Sequence, residues 1–215
     1  MRPEMETVRF YESRVQRYGY GYRALGFGRR SSQSRRFAAA AAIGDLHGKR
    51  VLDMGCGFGD LLAWLHERGV RPQYTGVDVS APMVERCLQR FAGRDDARFL
   101  IGDALTWSPE GYIQIDGAFD YVVASGIFGY ASPDAQKRVQ PTLKRLFAMS
   151  RVGLAVNFLS RQAGTQAVDR LYVRAADVLD YALTLTPSVR LDHTYMPNDF
   201  TLHLYRTPAW KEQAQ

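Results

Sequence analysis

Three glycines at alternate positions, Gly55, Gly57 and Gly59, stand between Asp53 and Asp60 in the stretch R-V-L-D-M-G-C-G-F-G-D-L. Bare backbone at such a turn tolerates positive φ and lets a ligand approach the main chain. A dinucleotide site needs G-x-G-x-x-G, with the following helix end free to attract a pyrophosphate. Here Asp60 falls where the third glycine of that pattern would be, and its carboxylate opposes phosphate at the helix N-terminus. Asp53 adds a second acid beside the loop. Two carboxylates around a glycine turn suit a ligand that carries positive charge. Asp78 ends the run Y-T-G-V-D-V-S, and a carboxylate there can accept both hydroxyls of a ribose. Asp78 could instead cap the next helix, although Ser80 suits that role better. Taken alone, the glycine loop is also compatible with a plain strand–turn–helix link that binds nothing.

These residues need a sheet to bring them together, and the chain has the pattern for one. From Lys49 onward, strand-like and helix-like segments alternate. Strands are expected at 50–54, 74–79, 97–101, 119–124 and 153–158. Helices are expected at about 60–68, 80–91, 135–149 and 175–183, with Pro141 causing a kink or break in the third. Two further strands, 189–195 and 200–205, are joined by only Met196-Pro197-Asn198-Asp199. That link is too short for a crossover, so they form an antiparallel hairpin. Before the sheet, residues 4–17 read as a helix with Met5, Val8, Tyr11 or Glu12, and Val15 near one face. The loop Y-G-Y-G-Y-R-A-L-G-F-G follows. A second helix runs through the alanines to Ile43, capped by Ser31, Ser32 or Ser34. Residues 1–48 are expected to be a helical cap on the same domain, laid over residues 49–215.

The loop from Asp53 to Gly59 resembles motif I of the class I S-adenosylmethionine-dependent methyltransferases. Asp78 and then Asp103, in F-L-I-G-D-A-L, stand at the ends of the next two strands at that family's spacing. The resemblance covers Val51 to Phe128. It implies an α/β Rossmann-like domain with a seven-stranded, mostly parallel sheet that ends in the antiparallel hairpin. It also implies S-adenosyl-L-methionine as cofactor, with Asp103 accepting from the adenine amino group and the Ala104 N–H meeting the ring. Val79 and Met83 would lie beside the adenine, although Met83 also suits a core position. Ser125, at the end of the fourth strand, would face the sulfonium.

Acceptor groups should gather at the same sheet edge, because ligands bind beyond the carboxyl ends of parallel strands. Phe128 and Tyr130 follow strand four, Asn157 and Arg161 end strand five, and Asn198 and Asp199 form the hairpin turn. Tyr20 and Tyr22 are candidate lid residues. Period-two alternation puts His193 and Tyr195 on one strand face, as candidate bases for an acceptor that must lose a proton. A carboxylate acceptor would need no base, and a buried structural histidine is the plainer reading of His193. No N/D-P-P-Y or Pro-Cys motif follows strand four, which argues against base-amine, glutamine and cytosine-C5 methylation.

Composition narrows the remaining classes. Apolar content of 46% and charged content of 23% are those of an ordinary globular domain. The two cysteines, Cys56 and Cys87, offer neither a disulfide framework nor metal-ligand spacing, so no metal is expected. No apolar run approaches the about 18 residues of a membrane span, and a cytoplasmic protein is expected. Residues 1–36 hold nine arginines, no lysine and three acids, a surplus equal to the net charge of +6 of the whole chain. That arm could draw an acidic substrate or a phosphate backbone, or be a solvated basic surface. The leading expectation is O- or N-methylation of a small molecule, an anionic one included, by a monomer or homodimer. RNA methylation through the arginine arm and non-catalytic cofactor binding are the rivals.

Overall fold

A computed structural model describes residues 3–109 and 116–207 of the chain. Two helices come first, α1 (Pro3–Tyr18) and α2 (Arg30–Ala41). The alternating part follows as β1 (Arg50–Met54), α3 (Asp60–His66), β2 (Gln73–Asp78), α4 (Ala81–Arg90), β3 (Ala97–Ile101) and β4 (Phe119–Ala124). It continues as α5 (Ala135–Met149), β5 (Ser150–Ser160), β6 (Tyr172–Val173), α6 (Ala175–Leu185), β7 (Val189–Met196) and β8 (Asp199–Tyr205). The strand order is β3-β2-β1-β4-β5-β8-β7, with the short β6 added beside the end of β5. The first five strands pair in parallel, whereas β8 is antiparallel to both β5 and β7. This is the expected Rossmann-like sheet with its terminal hairpin, plus one strand.

Period-two alternation divides the core into two layers, one on each face of the sheet. Leu52 and Met54, Val122 and Ala124, and Leu154 and Val156 point toward α5 and α6, against Leu143, Leu146, Phe147 and Ala182. The alternate residues Val51, Tyr121, Val123 and Ala155 point the other way, against Leu61, Leu62, Leu65, Val84, Phe37 and Ala40. Both faces are covered, so the central strands are mostly apolar, with buried Asp53, Thr75, Asp120 and Asn157 among the exceptions. Small residues let α2 lie close to the sheet: Ala39 and Ala40 are buried, and Ile43 packs over Gly153. A third, smaller cluster joins α1 to the glycine loop, with Tyr11, Val15 and Leu25 packed around Ala24, Phe58 and Met83.

Several local expectations change. The N-cap of α2 is Arg29 rather than a serine, because the helix starts one residue before the serines. Ser80 occupies the N-cap of α4, but its hydroxyl makes no capping bond; Asp78 accepts the Ser80 N–H at 2.9 Å instead. α5 runs unbroken through Pro141. The proline removes one N–H, while Thr142, Leu143 and Leu146 on either side of the next turn are buried and hold the helix to β4 and β5. α3 stops two residues early, α6 runs two residues further, and β5 gains residues at both ends. β6 was missed because two residues carry no alternation to read. Of the expected α1 face, the Met5 side chain lies outside the described residues.

His203 on β8 shows how burial fixes a protonation state. It is fully buried, its Nε2 lies 2.8 Å from the Ala39 carbonyl, and its Nδ1 receives a hydrogen bond from Arg190 Nε at 3.2 Å. This network requires a neutral ring protonated on Nε2. Burial pushes its pKa down to about 4, against the Ala39 bond. The folded state thus takes up its proton near pH 4, whereas the unfolded chain does so near 6.5. The stabilisation is complete above pH 6.5 and is lost as pH falls toward 4. As pH falls from 6.5 to 4, His203→Gln should gain progressively on the parent protein, from near zero to roughly 2–3 kcal/mol, measured by urea unfolding at each pH.

Candidate functional site

The carboxyl ends of β1, β2, β3, β4 and β5 open onto a cavity of about 700 Å³. The glycine loop forms one wall. Gly55 and Cys56 donate their N–H groups to the Val77 carbonyl at 2.7 and 3.1 Å, which pins the loop to the end of β2. Gly55 and Gly57 line the cavity at φ of +77° and +54°. A side chain at Gly55 would run into Ile127 Cγ2, and one at Gly57 would meet Leu25 at 2.9 Å. Asp78 closes the motif: its Oδ2 accepts the Gly57 N–H at 2.9 Å, and its Oδ1 accepts that of Ser80. Burial raises the Asp78 pKa, opposed by the N–H bonds from Ser80, Gly57 and Val79. Val79, Met83, Asp103, Ala104 and Ser125 line the same wall. Asp103 is not free there, for it takes a hydrogen bond from Arg138 Nη2 at 2.5 Å and one from the Leu105 N–H at 2.9 Å.

The opposite wall comes from segments before β1 and after β4. α1 contributes Thr7, Tyr11 and Arg14, and the loop ahead of α2 contributes Leu25, Phe27 and Arg29. Phe128, Tyr130, Asn157, Asn198 and Asp199 also line it. At its centre Arg36 donates from Nε and Nη2 to the two oxygens of Asp199 at 2.6 and 2.7 Å. The guanidinium lies 4.7 Å from the centre of the Phe27 ring. Asn157 Nδ2 donates to Asp199 at 3.0 Å, and its Oδ1 accepts the Gly126 N–H at 2.7 Å. Despite the arginine, burial raises the pKa of Asp199. Arg170 reaches back to the α1 side, with its guanidinium against Gly26 and 5.4 Å from the Phe10 ring, while Phe10 stacks on Tyr130 at 4.2 Å.

Other expected residues are placed elsewhere. Asp53 is buried behind the loop and accepts a hydrogen bond from the Tyr74 hydroxyl. Burial lifts its pKa to about 7, against the Tyr74 bond and aided by the negative charges of Asp78 and Asp60. Gly59, at φ +71°, is the N-cap of α3 and faces Phe91 rather than the cavity. His193 packs edge-on to Phe200 at 5.9 Å, and Tyr195 bonds to Thr201 at 2.9 Å; neither lines the cavity. An irregular register between Asp192 and Met196 interrupts the alternation that had put them on one face. Burial pushes the Tyr195 phenol up to about 12, against the Thr201 bond. Arg161 donates to the Tyr172 carbonyl and also stays outside. Tyr20 and Tyr22 line a second hollow of about 250 Å³ with Trp64, Arg86 and Arg90, on the far side of the glycine loop. Asp60 faces that hollow and binds Arg90 at 2.6 Å.

Arg36, Arg138 and Arg170 were not singled out from the sequence. Only Arg36 had a readable signal: it stands one residue before Phe37 and three before Ala39, on the apolar stripe of α2. Arg138 and Arg170 reach the site through a helix and a loop whose paths the sequence does not encode locally.

A strand-tip aspartate over a pinned glycine turn, at the end of a sheet with one antiparallel insertion, is the architecture of a Rossmann-like methyltransferase domain. The chain belongs to the class I S-adenosylmethionine-dependent methyltransferases. A family model described as a methyltransferase domain matches residues 51–149. A Mycobacterium tuberculosis protein, Rv1506c, that carries a methyltransferase designation is 35% identical over 159 residues, covering 71% of this chain and 90% of that one. A ribosomal RNA small subunit methyltransferase C of Chromohalobacter salexigens is 37% identical over 87 residues, but that match covers 40% of this chain and 24% of the relative. Among solved structures, magnesium protoporphyrin IX methyltransferase from Synechocystis with bound cofactor superposes with a TM-score of 0.68 at 18% identity, over 96% of this chain and 98% of that one. Among the described residues, no helix is long and apolar enough to cross a membrane.

Proposed function

We propose that the chain transfers the methyl group of S-adenosylmethionine to a small-molecule acceptor held wholly inside the 700 Å³ cavity. The observation that carries this reading is that the N-terminal segment walls the cavity. Arg36 is buried over it and α1 with its following loop lines the acceptor side, while Arg9, Arg17, Arg23, Arg30 and Arg35 stay exposed. When bound, the cofactor supplies an electrophilic methyl group and carries a net positive charge. Gly55 and Gly57 leave room at the main chain for it, and Asp78 presents acceptor oxygens suited to a ribose. Ser125 stands at the end of β4, where the two halves of the cavity meet. The aromatic lining of the acceptor half would fix the acceptor's orientation, which by itself supplies much of the roughly 7–11 kcal/mol available from positioning.

Asp78→Ala tests the cofactor half. Removing two or more charge-assisted hydrogen bonds should weaken binding of S-adenosylhomocysteine by about 50-fold or more, read by calorimetry. Unchanged affinity would refute the ribose assignment. For the acceptor half, methyl label should pass to a low-molecular-weight fraction of a cell extract and not to RNA. RNA binding that falls steeply with salt, accompanied by label in RNA, would favour the rival reading instead.

A further inference from the structure

Two polar groups, one on the acceptor wall and one where the two walls meet, are left unsatisfied by the protein. Arg36 gives Nε and Nη2 to Asp199, while its Nη1 is buried without a partner. The Ser125 hydroxyl is likewise buried without one. Both residues line the cavity, and a continuous chain of bonds links them, from Arg36 through Asp199 and Asn157 to the N–H of Gly126. A guanidinium N–H can only donate, so an occupant that relieves it must bring an acceptor atom there. A protonated amine fails this condition, and a carboxylate meets it with a charge of opposite sign.

The groups of this cavity that could take up a proton are confined to aspartates. No histidine, lysine, cysteine or glutamate lines it among the described residues. Three of its four aspartates already accept hydrogen bonds, Asp78 from the glycine loop, Asp103 from Arg138 and Asp199 from Arg36, and the half-exposed Asp169 makes a looser ion pair with Arg170 at 3.7 Å. Five arginines line it against those four acids, so the walls favour an anion. Phe27, Ile127, Phe128 and Tyr130 supply an apolar surround for the rest of the molecule.

We infer that the acceptor is a carboxylic acid with an apolar body, bound as its carboxylate at Arg36 Nη1 and converted to a methyl ester. A carboxylate oxygen gives a lone pair to form the O–CH₃ bond, the C–S bond breaks, and its electron pair stays on sulfur. The products are a neutral ester and a neutral thioether centre, and no proton moves, so no base is required. Opposite charges cancel in the step, which a partly enclosed, largely apolar surround favours. This inference rests on the small-molecule reading above.

The test incubates the protein with S-adenosylmethionine labelled in its methyl group and the anionic small-molecule fraction of a cell extract. Mild alkali then releases labelled methanol from methyl esters only. Nearly all label should become volatile, at a rate that is flat between about pH 6 and 9, because carboxylates are ionised throughout. Label that stays in an alkali-stable product would overturn the ester assignment, as would label transferred only when the neutral or cationic fraction of the extract is supplied in place of the anionic one. Label in no small-molecule fraction would defeat the small-molecule reading itself. Arg36→Lys keeps a cation for Asp199 but removes the Nη1 fork. It should raise KM for the labelled acid about tenfold or more while leaving the affinity for S-adenosylhomocysteine, measured by calorimetry, within about twofold. An unchanged KM would remove Arg36 from acceptor binding.

Discussion

Arg36→Met is expected to cost about 3–5 kcal/mol of folding stability, read as a fall in the urea midpoint. The substitution leaves Asp199 fully buried with only Asn157 to bond it. That carboxylate already has a raised pKa with the arginine in place, so without it the group would take up a proton or draw water into the sheet. The loss is a penalty for the orphan and not the worth of the pair. The double variant Arg36→Met/Asp199→Leu should therefore recover roughly half or more of it, because an apolar pair of similar volume often replaces a buried ion pair without loss. If the double variant were as unstable as the single one, the instability would come from lost packing of Phe27 and α2 instead.

The same pair shows what the sequence could and could not disclose. Alternation and turn chemistry are local, so the strands, their order of appearance and the terminal hairpin were readable from residues a few positions apart. The carboxylates at the ends of β2 and β3 were readable for the same reason, since each is fixed by its strand. Arg36 and Asp199 are 163 residues apart and meet only because α2 crosses β5, β7 and β8. An arginine in a basic arm looks like surface charge until its partner is placed. Asp53 misled in the opposite way: its spacing from the glycines is right, but β1 turns the side chain into the sheet, toward Tyr74. His193 and Tyr195 misled because period two holds only while the register is regular, and β7 breaks it after Asp192.

Gly55→Val should abolish cofactor binding, with S-adenosylhomocysteine affinity reduced about 100-fold or more. Two effects combine at this position. The backbone stands at φ +77°, which a β-branched residue adopts only with strain of about 1–3 kcal/mol. The added methyl groups would also collide with Ile127 and enter the cavity that Gly55 lines. The Gly55 N–H bond to Val77 would be distorted, so the loop could not relax without releasing β2. Gly69→Val serves as the control: it has similar φ, +75°, but stands in open space after α3. It should lose stability of the same order and keep its cofactor affinity. Equal loss of binding in both would show that general unfolding, and not the shape of the loop, is responsible.

The two walls of the cavity come from different parts of the chain. Most of the cofactor wall lies within residues 51–149, whereas Tyr11, Phe27, Arg36, Asn157, Arg170 and Asp199 lie on either side of that stretch. Donor recognition and acceptor choice can thus drift separately during evolution. Hybrids that exchange residues 1–48 between relatives should keep their hold on the sulfonium compound while trading which molecules they modify.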